Sequence, residues 1–185
     1  IMRLAAGETA PEPLLTPGTA PTINCPACHA LSRDGSRIAF TRTTFPPFGD
    51  LATSNILQPT TLLYDPMGVE GYFPSFSPDP NRLVAGSSGQ LVIRDSNTGA
   101  LIEQLSRPPM TVGGSPDWSW QGDRIVAVLG PEGLVNLIPN ASISEGSLYE
   151  WTFVDDQWST TPTMIVGKEG DTWITRPAYS PDGQY

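Results

Sequence analysis

Cysteine and histidine are scarce in this chain, and that scarcity makes their positions informative. The 185 residues contain two cysteines and one histidine. All three lie in the five-residue segment Cys25–His29, with the sequence Cys-Pro-Ala-Cys-His. Because neither residue type occurs elsewhere, a chance cluster is disfavoured, and we treat the segment as a candidate site.

Positive charge and long apolar runs are also lacking. Ten Lys and Arg against nineteen Asp and Glu leave a formal net charge of −9, and the basic residues are scattered. A nucleic-acid groove needs a clustered basic patch, so nucleic-acid binding is disfavoured. A transmembrane helix needs about 18 or more consecutive apolar residues, and no such run occurs in the sequence.

Helix-forming sequence is scarce as well. Charged residues make up only 16% of the chain, and long amphipathic stretches rich in Glu, Lys and Ala are absent. Instead there are 20 Pro, 18 Gly, five Trp, five Tyr and six Phe. Turn formers combined with aromatic and β-branched residues are typical of all-β proteins. The sequence therefore predicts an all-β fold, with enough length for one medium domain.

One sequence phrase occurs four times. Each copy has an apolar or aromatic residue, then Ser, then a tight turn with Gly, Asp or Asn, and an alternating apolar strand follows the first three. A repeat of about 40–45 residues with several short strands is typical of a β-propeller blade; a β-sandwich is the alternative. The anchoring serines are 45, 42 and 61 residues apart, at Ser32, Ser77, Ser119 and Ser180.

The repeat predicts four-stranded antiparallel blades in a partial segment of a longer propeller. The opening residues align with the last two strands of a blade, and the chain stops where a new second strand should start. We divide the single propeller segment into the end of a preceding blade (1–27), the blade with the Cys and His residues (28–72), a second blade (73–114), a third blade with long loops (115–175) and the start of a fourth (176–185).

Strands B to D, labelled in chain order within each blade, are predicted from the apolar runs. For the first blade we expect a long B–C connection over residues 43–60. The predicted strands are Ile38–Arg42 and Thr61–Tyr64 in the first blade, Arg82–Gly86, Gln90–Arg94 and Leu101–Leu105 in the second, and Arg124–Leu129, Leu148–Phe153 and Trp158–Thr161 in the third.

The repeated phrase resembles that of the TolB-like (WD-type) periplasmic propeller family. The resemblance rests on "PSFSPDP", "PDWSWQGD" and "PAYSPDG", and it covers most of residues 28–185. It implies the propeller fold. The Ser and Asp residues of the phrase are expected to be turn formers, whose side chains bond nearby backbone N–H groups.

Cys-x-x-Cys-His is the attachment motif of c-type haem. Two thiols three positions apart can reach both vinyl groups on one porphyrin edge, and the adjacent imidazole can bind the iron. The segment "CPACHALSRDG" also resembles bacterial propellers that carry a haem-c motif, which implies one covalent haem c at Cys25, Cys28 and His29. When the four serines are overlaid, Cys28 falls on Phe73, Ser115 and Arg176, and His29 falls on Pro74, Pro116 and Pro177.

Three other interpretations of the motif remain open. A Cys25–Cys28 disulfide would close a very small loop and stabilise the fold little. A zinc site would need a fourth ligand, such as an Asp, because only three soft or imidazole ligands are present. The two cysteines could also be plain buried thiols.

Residues that would cover and complete the haem site are predicted from the neighbouring loops. The predicted loop 43–60 is rich in Pro and contains Phe45 and Phe48, which we expect to pack against the porphyrin. Met is the usual alternative to a second His as an axial ligand. We therefore name Met67 as the candidate sixth ligand, with Met110 and Tyr72 as further possibilities.

The predicted function is electron transfer by a propeller with one covalent haem c, and not catalysis. Attachment of haem c implies a periplasmic or extracellular location, and the expected partner is a protein redox partner or a larger complex. The alternative is a haem-free TolB-like scaffold for protein binding, with a Cys25–Cys28 disulfide. A third hypothesis is the propeller of a prolyl-oligopeptidase-like hydrolase, whose catalytic domain would lie outside this segment because no Gly-x-Ser-x-Gly elbow occurs here.

Overall fold

A computed structural model of the chain describes residues 1–4, 7–16, 26–42, 49–132, 146–170, 174–180 and 182. Within these ranges, fourteen β-strands form four antiparallel sheets. The strands are β1 Met2–Arg3, β2 Glu12–Pro13, β3 Pro26–Leu31, β4 Arg37–Arg42, β5 Asp50–Asn55, β6 Tyr72–Phe76, β7 Arg82–Ser87, β8 Gln90–Asp95, β9 Leu101–Gln104, β10 Thr111–Trp118, β11 Arg124–Pro131, β12 Ser147–Val154, β13 Gln157–Trp158 and β14 Thr163–Val166.

The sheets succeed one another as propeller blades. The first blade contains β3, β4 and β5, the second contains β6 to β9, and the third contains β10 to β14. The first strands of the three blades lie side by side, β3 against β6 and β6 against β10. This is the arrangement of strand A around a propeller axis. The predicted all-β propeller segment is thus confirmed.

In the second blade, the predicted strands B, C and D coincide with β7, β8 and β9. In the third blade, strands B and C coincide with β11 and β12. The fourth strand of that blade was predicted wrongly as Trp158–Thr161. It is divided into β13, which pairs with the end of β12, and β14, which pairs with its beginning.

The prediction for the outer part of the first blade was also wrong. Residues 43–60 are not one long loop, because β5 lies inside them and pairs with β4 from Arg37↔Asn55 to Arg42↔Asp50. Leu51 is fully buried in this strand, and so are the polar Thr53 and Ser54. Small polar residues buried in a strand leave no apolar run in the sequence, which explains the error. The predicted strand Thr61–Tyr64 is not the third strand of the blade but lies beyond it, on the outer side of β5, where Leu62 forms an isolated β-bridge to Ser54.

The hydrophobic core lies between the blades. One cluster joins the second and third blades and contains Trp118, Trp151 and Trp158. The rings of Trp118 and Trp158 meet edge to face, with centroids 5.6 Å apart. A second cluster joins the first and second blades through Leu51 and Leu83. Complete burial of such side chains contributes about 1.5–3 kcal/mol each, so packing between blades stabilises the fold.

The opening residues pack against the first blade. β1 and β2 form an antiparallel hairpin with the register Met2↔Pro13 and Arg3↔Glu12. After it, Leu14 and Leu15 join Ile38 and Phe40 in a third buried cluster.

The repeated serines are turn formers, as predicted. Ser32, Ser77 and Ser119 are buried, and each hydroxyl oxygen accepts a hydrogen bond from the backbone N–H five residues later, over 2.9, 3.2 and 3.0 Å. In the first turn, the hydroxyl of Ser32 and the N–H and hydroxyl of Ser36 donate to Asp34 and lower its carboxyl pKa to about 2. The shared phrase therefore fixes the turn that joins strands A and B in each blade.

Neighbouring strands A are linked by one carboxylate. Asp117 in β10 accepts a hydrogen bond from the Ser75 hydroxyl in β6 at 2.7 Å. Its other oxygen accepts the backbone N–H of Tyr179 at 2.7 Å. Tyr179 belongs to segment 174–180, which follows the third blade, so this segment takes the place of the next strand A.

Candidate functional site

The Cys-His pair lies at a β-bulge in the strand nearest the axis. In β3, Ala27 pairs with Thr41 and Ala30 pairs with Ala39, and the register shifts between them. Cys28 and His29 are the two residues in this shift. Cys28 has φ +43°, in the left-handed region that costs a residue with a side chain roughly 1–2 kcal/mol. Such bulges often direct a side chain into a site.

The same bulge occurs in the other blades. The register shifts between Tyr72 and Ser75 in β6 and between Gly114 and Asp117 in β10. The left-handed residue of each strand A is the one that the sequence overlay places on Cys28. These residues are Phe73 at φ +48°, Ser115 at +50° and Arg176 at +49°.

Histidine replaces proline only in the first blade. The left-handed residue is followed by Pro74, Pro116 and Pro177 in the later copies and by His29 in the first. Proline suits a bulge because this position has no ladder hydrogen bond for its missing N–H. His29 is exposed, whereas Pro74 and Pro116 are buried. The first blade thus combines a thiol and an accessible imidazole at a position that is structural in the other blades.

Two of the left-handed side chains contact each other. We call Cys28, Phe73, Ser115 and Arg176 the bulge ring. The guanidinium carbon of Arg176 lies 5.6 Å from the centroid of the Phe73 ring. These residues belong to strand A segments two blades apart, with β10 between them. The Phe73 and Arg176 side chains therefore point towards each other past β10.

A hydrogen-bonded carboxylate lies next to the bulge ring. Glu70 accepts hydrogen bonds from the Tyr72 hydroxyl at 2.6 Å, the Ser88 backbone N–H at 3.0 Å and the Ser88 hydroxyl at 2.8 Å. Tyr72 is buried, and its pKa is raised first by that burial, then by the bond to Glu70, by the negative charge of Glu70 and by the charge that Cys28 carries when ionised. The Tyr72 phenol is therefore neutral and fixed beside Cys28.

The structure places only some of the predicted site residues. Cys25, Phe45 and Phe48 lie outside the described residues. Met67 is 79% exposed, in the loop before β6. In the described part of the chain, no group of three His, Cys, Asp or Glu side chains could hold a metal ion.

Two residues of the site were not recognised in the sequence. They are Arg176, which the overlay aligns with Cys28 but which was interpreted as part of the repeat, and Glu70. The signal was present for Arg176, because a charged residue at a position that otherwise holds thiol, aromatic and hydroxyl groups is unusual. No local pattern marks Glu70, since its partners come from β6 and from the turn between β7 and β8.

Comparisons with known proteins support the fold. No protein-family model matches the chain, and no curated protein matches it. Among solved structures, TolB from Acinetobacter baumannii aligns with a TM-score of 0.58 and 16% identity, over 88% of this chain and 36% of TolB. A putative TolB from Agrobacterium tumefaciens aligns with a TM-score of 0.51 and 19% identity, over 98% of this chain and 79% of the other.

A structure from a study of two prolyl endopeptidases also aligns. Its TM-score is 0.60 at 12% identity, over 90% of this chain and 24% of the endopeptidase. At these identities the likeness shows the fold alone, which is that of a TolB-like β-propeller. The chain spans about a third of the A. baumannii TolB and about a quarter of the endopeptidase. The described residues include no helix of the length and hydropathy needed to cross a bilayer.

Proposed function

We propose that this chain is a propeller that carries one covalent haem c at Cys25, Cys28 and His29 and transfers electrons. The observation that carries the proposal is the first-blade bulge. In this blade alone, the left-handed residue is a Cys and the proline that follows it in the other copies is replaced by an exposed His. Together with Cys25, they have the spacing of a haem attachment motif. A substitution confined to one blade and to one chemistry favours a ligand site over a structural role.

The residues present fit a haem. Cys25 and Cys28 would each add a thiol across a vinyl group, which forms a carbon–sulfur bond and moves the thiol proton to the other vinyl carbon without loss of electrons. The His29 imidazole would bind the iron. When bound, the haem takes up and releases one electron. Phe45 and Phe48 would limit its exposure to water, and Met67 has a side chain accessible enough to serve as sixth ligand.

The compartment and partner follow from the cofactor. Covalent haem is attached outside the cytoplasmic membrane, so we place the protein in the periplasm or at the cell exterior. A protein redox partner, or a larger complex that contains this propeller, would supply and accept the electron. We propose no enzymatic activity for this segment.

The experiment is expression with and without a haem-c maturation system. We expect a red protein whose haem stays attached after denaturation and gives a c-type pyridine haemochrome spectrum, with an intact mass higher by one haem. The variants Cys28→Ser and His29→Ala should lose covalent attachment or normal axial ligation, respectively. Met164→Leu is the control, because Met164 is an exposed methionine in β14, far from strand A.

The second candidate is a haem-free scaffold with a Cys25–Cys28 disulfide, supported by the TolB-like fold. A disulfide needs Cα atoms within about 7 Å of each other. The bridge would join the residues on either side of Pro26 and Ala27, the first two residues of β3, and would leave no thiol for a haem. A colourless protein without added haem mass, whose thiols become reactive only after reduction, would replace the first proposal with the second.

A further inference from the structure

The bulge ring also suggests how the haem would lie, an inference that rests on the proposed function. Propeller blades surround a central channel, and strand A of each blade lines it. We infer that Arg176, held over the Phe73 ring, pairs with a propionate carboxylate of the haem attached at Cys28, so that the haem lies across the mouth of this channel. The alternative orientation would place the haem outward, between or beside the blades.

The position of Arg176 supports this orientation. Cys28 and Arg176 have the same place in the repeated phrase and the same left-handed backbone, with φ +43° and +49°. Segment 174–180 is held in line with strand β10 by the bond from Tyr179 N–H to Asp117. Phe73 lies in β6, the strand beside the one that holds Cys28, so a flat group attached at Cys28 and extending over β6 reaches the contact between Phe73 and Arg176.

The charge of Arg176 is available to an anion. Arg3, Arg42, Arg107 and Arg124 each form an ion pair with Asp or Glu. For Arg176, the contact seen among the described residues is the Phe73 ring. The guanidinium is exposed, in a chain with a net charge of −9. A cation at the axis of an acidic protein, stacked on an aromatic ring and without a carboxylate partner in the described part, suits an anionic ligand.

The chemistry of haem matches this pair of residues. The macrocycle is flat and apolar, and its two propionates lie on the edge opposite the vinyl groups that form thioethers. Attachment at the first blade therefore directs the propionates across the channel, towards the strand segment three blades later. The half-buried Phe73 ring offers an apolar surface to the macrocycle, and the planar fork of Arg176 can donate two hydrogen bonds to one carboxylate.

The test compares Arg176→Gln with Arg82→Gln in the haem-loaded protein. Arg82 is exposed at the start of β7, next to the A–B turn and at the opposite end of the strands from the channel mouth. Arg82→Gln therefore changes the net charge as Arg176→Gln does, but at a position away from the haem. We expect equal haem content in both variants. Because a cation near the iron stabilises the electron-rich state, the reduction potential should fall in Arg176→Gln and stay at the wild-type value in Arg82→Gln.

Two further variants make the result decisive. Arg176→Lys keeps the charge, so its reduction potential should lie close to that of the wild type. Phe73→Leu removes the ring that holds the guanidinium in place, so its reduction potential should fall by less than that of Arg176→Gln. Circular dichroism and melting temperature check that each variant is folded. Equal potentials in Arg176→Gln and Arg82→Gln, at full haem content, would overturn the channel orientation and leave the haem proposal standing. A wild-type protein without covalent haem would overturn both.

Discussion

At the scale of single residues, the repeated serines show how a short phrase determines structure. Ser119 is 1% exposed. Its hydroxyl donates to Asp123 and accepts the backbone N–H of Arg124, both at 3.0 Å. This role can be predicted from the sequence, because the hydrogen-bond donor and acceptor lie within five residues of each other. Ser88, which bonds Glu70 from the turn between β7 and β8, is 18 residues away, so the role of Glu70 could not be predicted locally.

The change Ser119→Ala should lower the free energy of unfolding by about 1–3 kcal/mol, because it leaves the partly buried backbone N–H of Arg124 without this acceptor. Urea denaturation measures the loss. Ser106→Ala is the matched control, since Ser106 is exposed and should tolerate the change within about 0.5 kcal/mol. Equal midpoints for the two variants would show that the turn does not depend on the hydroxyl.

At the scale of elements, the recurring bulge is the feature that positions the site. Alignment of the four phrases predicted which residues are equivalent, and the backbone agrees, since all four have φ between +43° and +50°. The left-handed conformation itself could not be predicted, because Cys, Phe, Ser and Arg carry no common signal for it. Similarly, strand β5 was not predicted, because its buried Thr53 and Ser54 are polar residues that are typical of loops.

Substitution of Ser115 tests the strain at the bulge. Ser115→Gly removes the left-handed penalty but adds the entropy of glycine, so we expect a stability change between zero and a gain of about 1 kcal/mol. Ser115→Val should lose at least about 1–2 kcal/mol, because a β-branched side chain tolerates this conformation worst. Thermal melting measures both. If Val is tolerated as well as Gly, the strand relaxes and the bulge is not enforced by the fold.

At the scale of the whole molecule, close packing between blades depends on two equivalent glycines. Gly71 and Gly113 each lie two residues before the left-handed residue of their strand. A Cβ at Gly71 would lie 2.7 Å from Leu51 Cδ2 and 3.1 Å from Leu51 Cβ, in the neighbouring blade. A Cβ at Gly113 would lie 2.8 Å from Leu91 Cγ, again across a blade boundary. The repeat length predicted the blades, but no sequence pattern revealed how closely they approach.

The change Gly71→Ala should therefore destabilise the protein by about 1–3 kcal/mol through overpacking. Gly113→Ala should behave alike. Gly167→Ala is the control, because a Cβ there meets only the flexible end of Met164 at 3.8 Å. The denaturation midpoints of the three variants measure these losses of stability. If Gly167→Ala loses as much stability as the other two, the effect comes from replacing glycine in general and not from overpacking.

The two-sided bonding of Asp117 has a mechanical consequence. One of its oxygens serves the strand before it and the other serves the segment after it. If either neighbour detaches, the Asp117 carboxylate loses one of its two hydrogen-bond donors, and its contact with the other neighbour becomes weaker. Fraying at one blade boundary should therefore loosen the next boundary as well, because both boundaries share the Asp117 carboxylate.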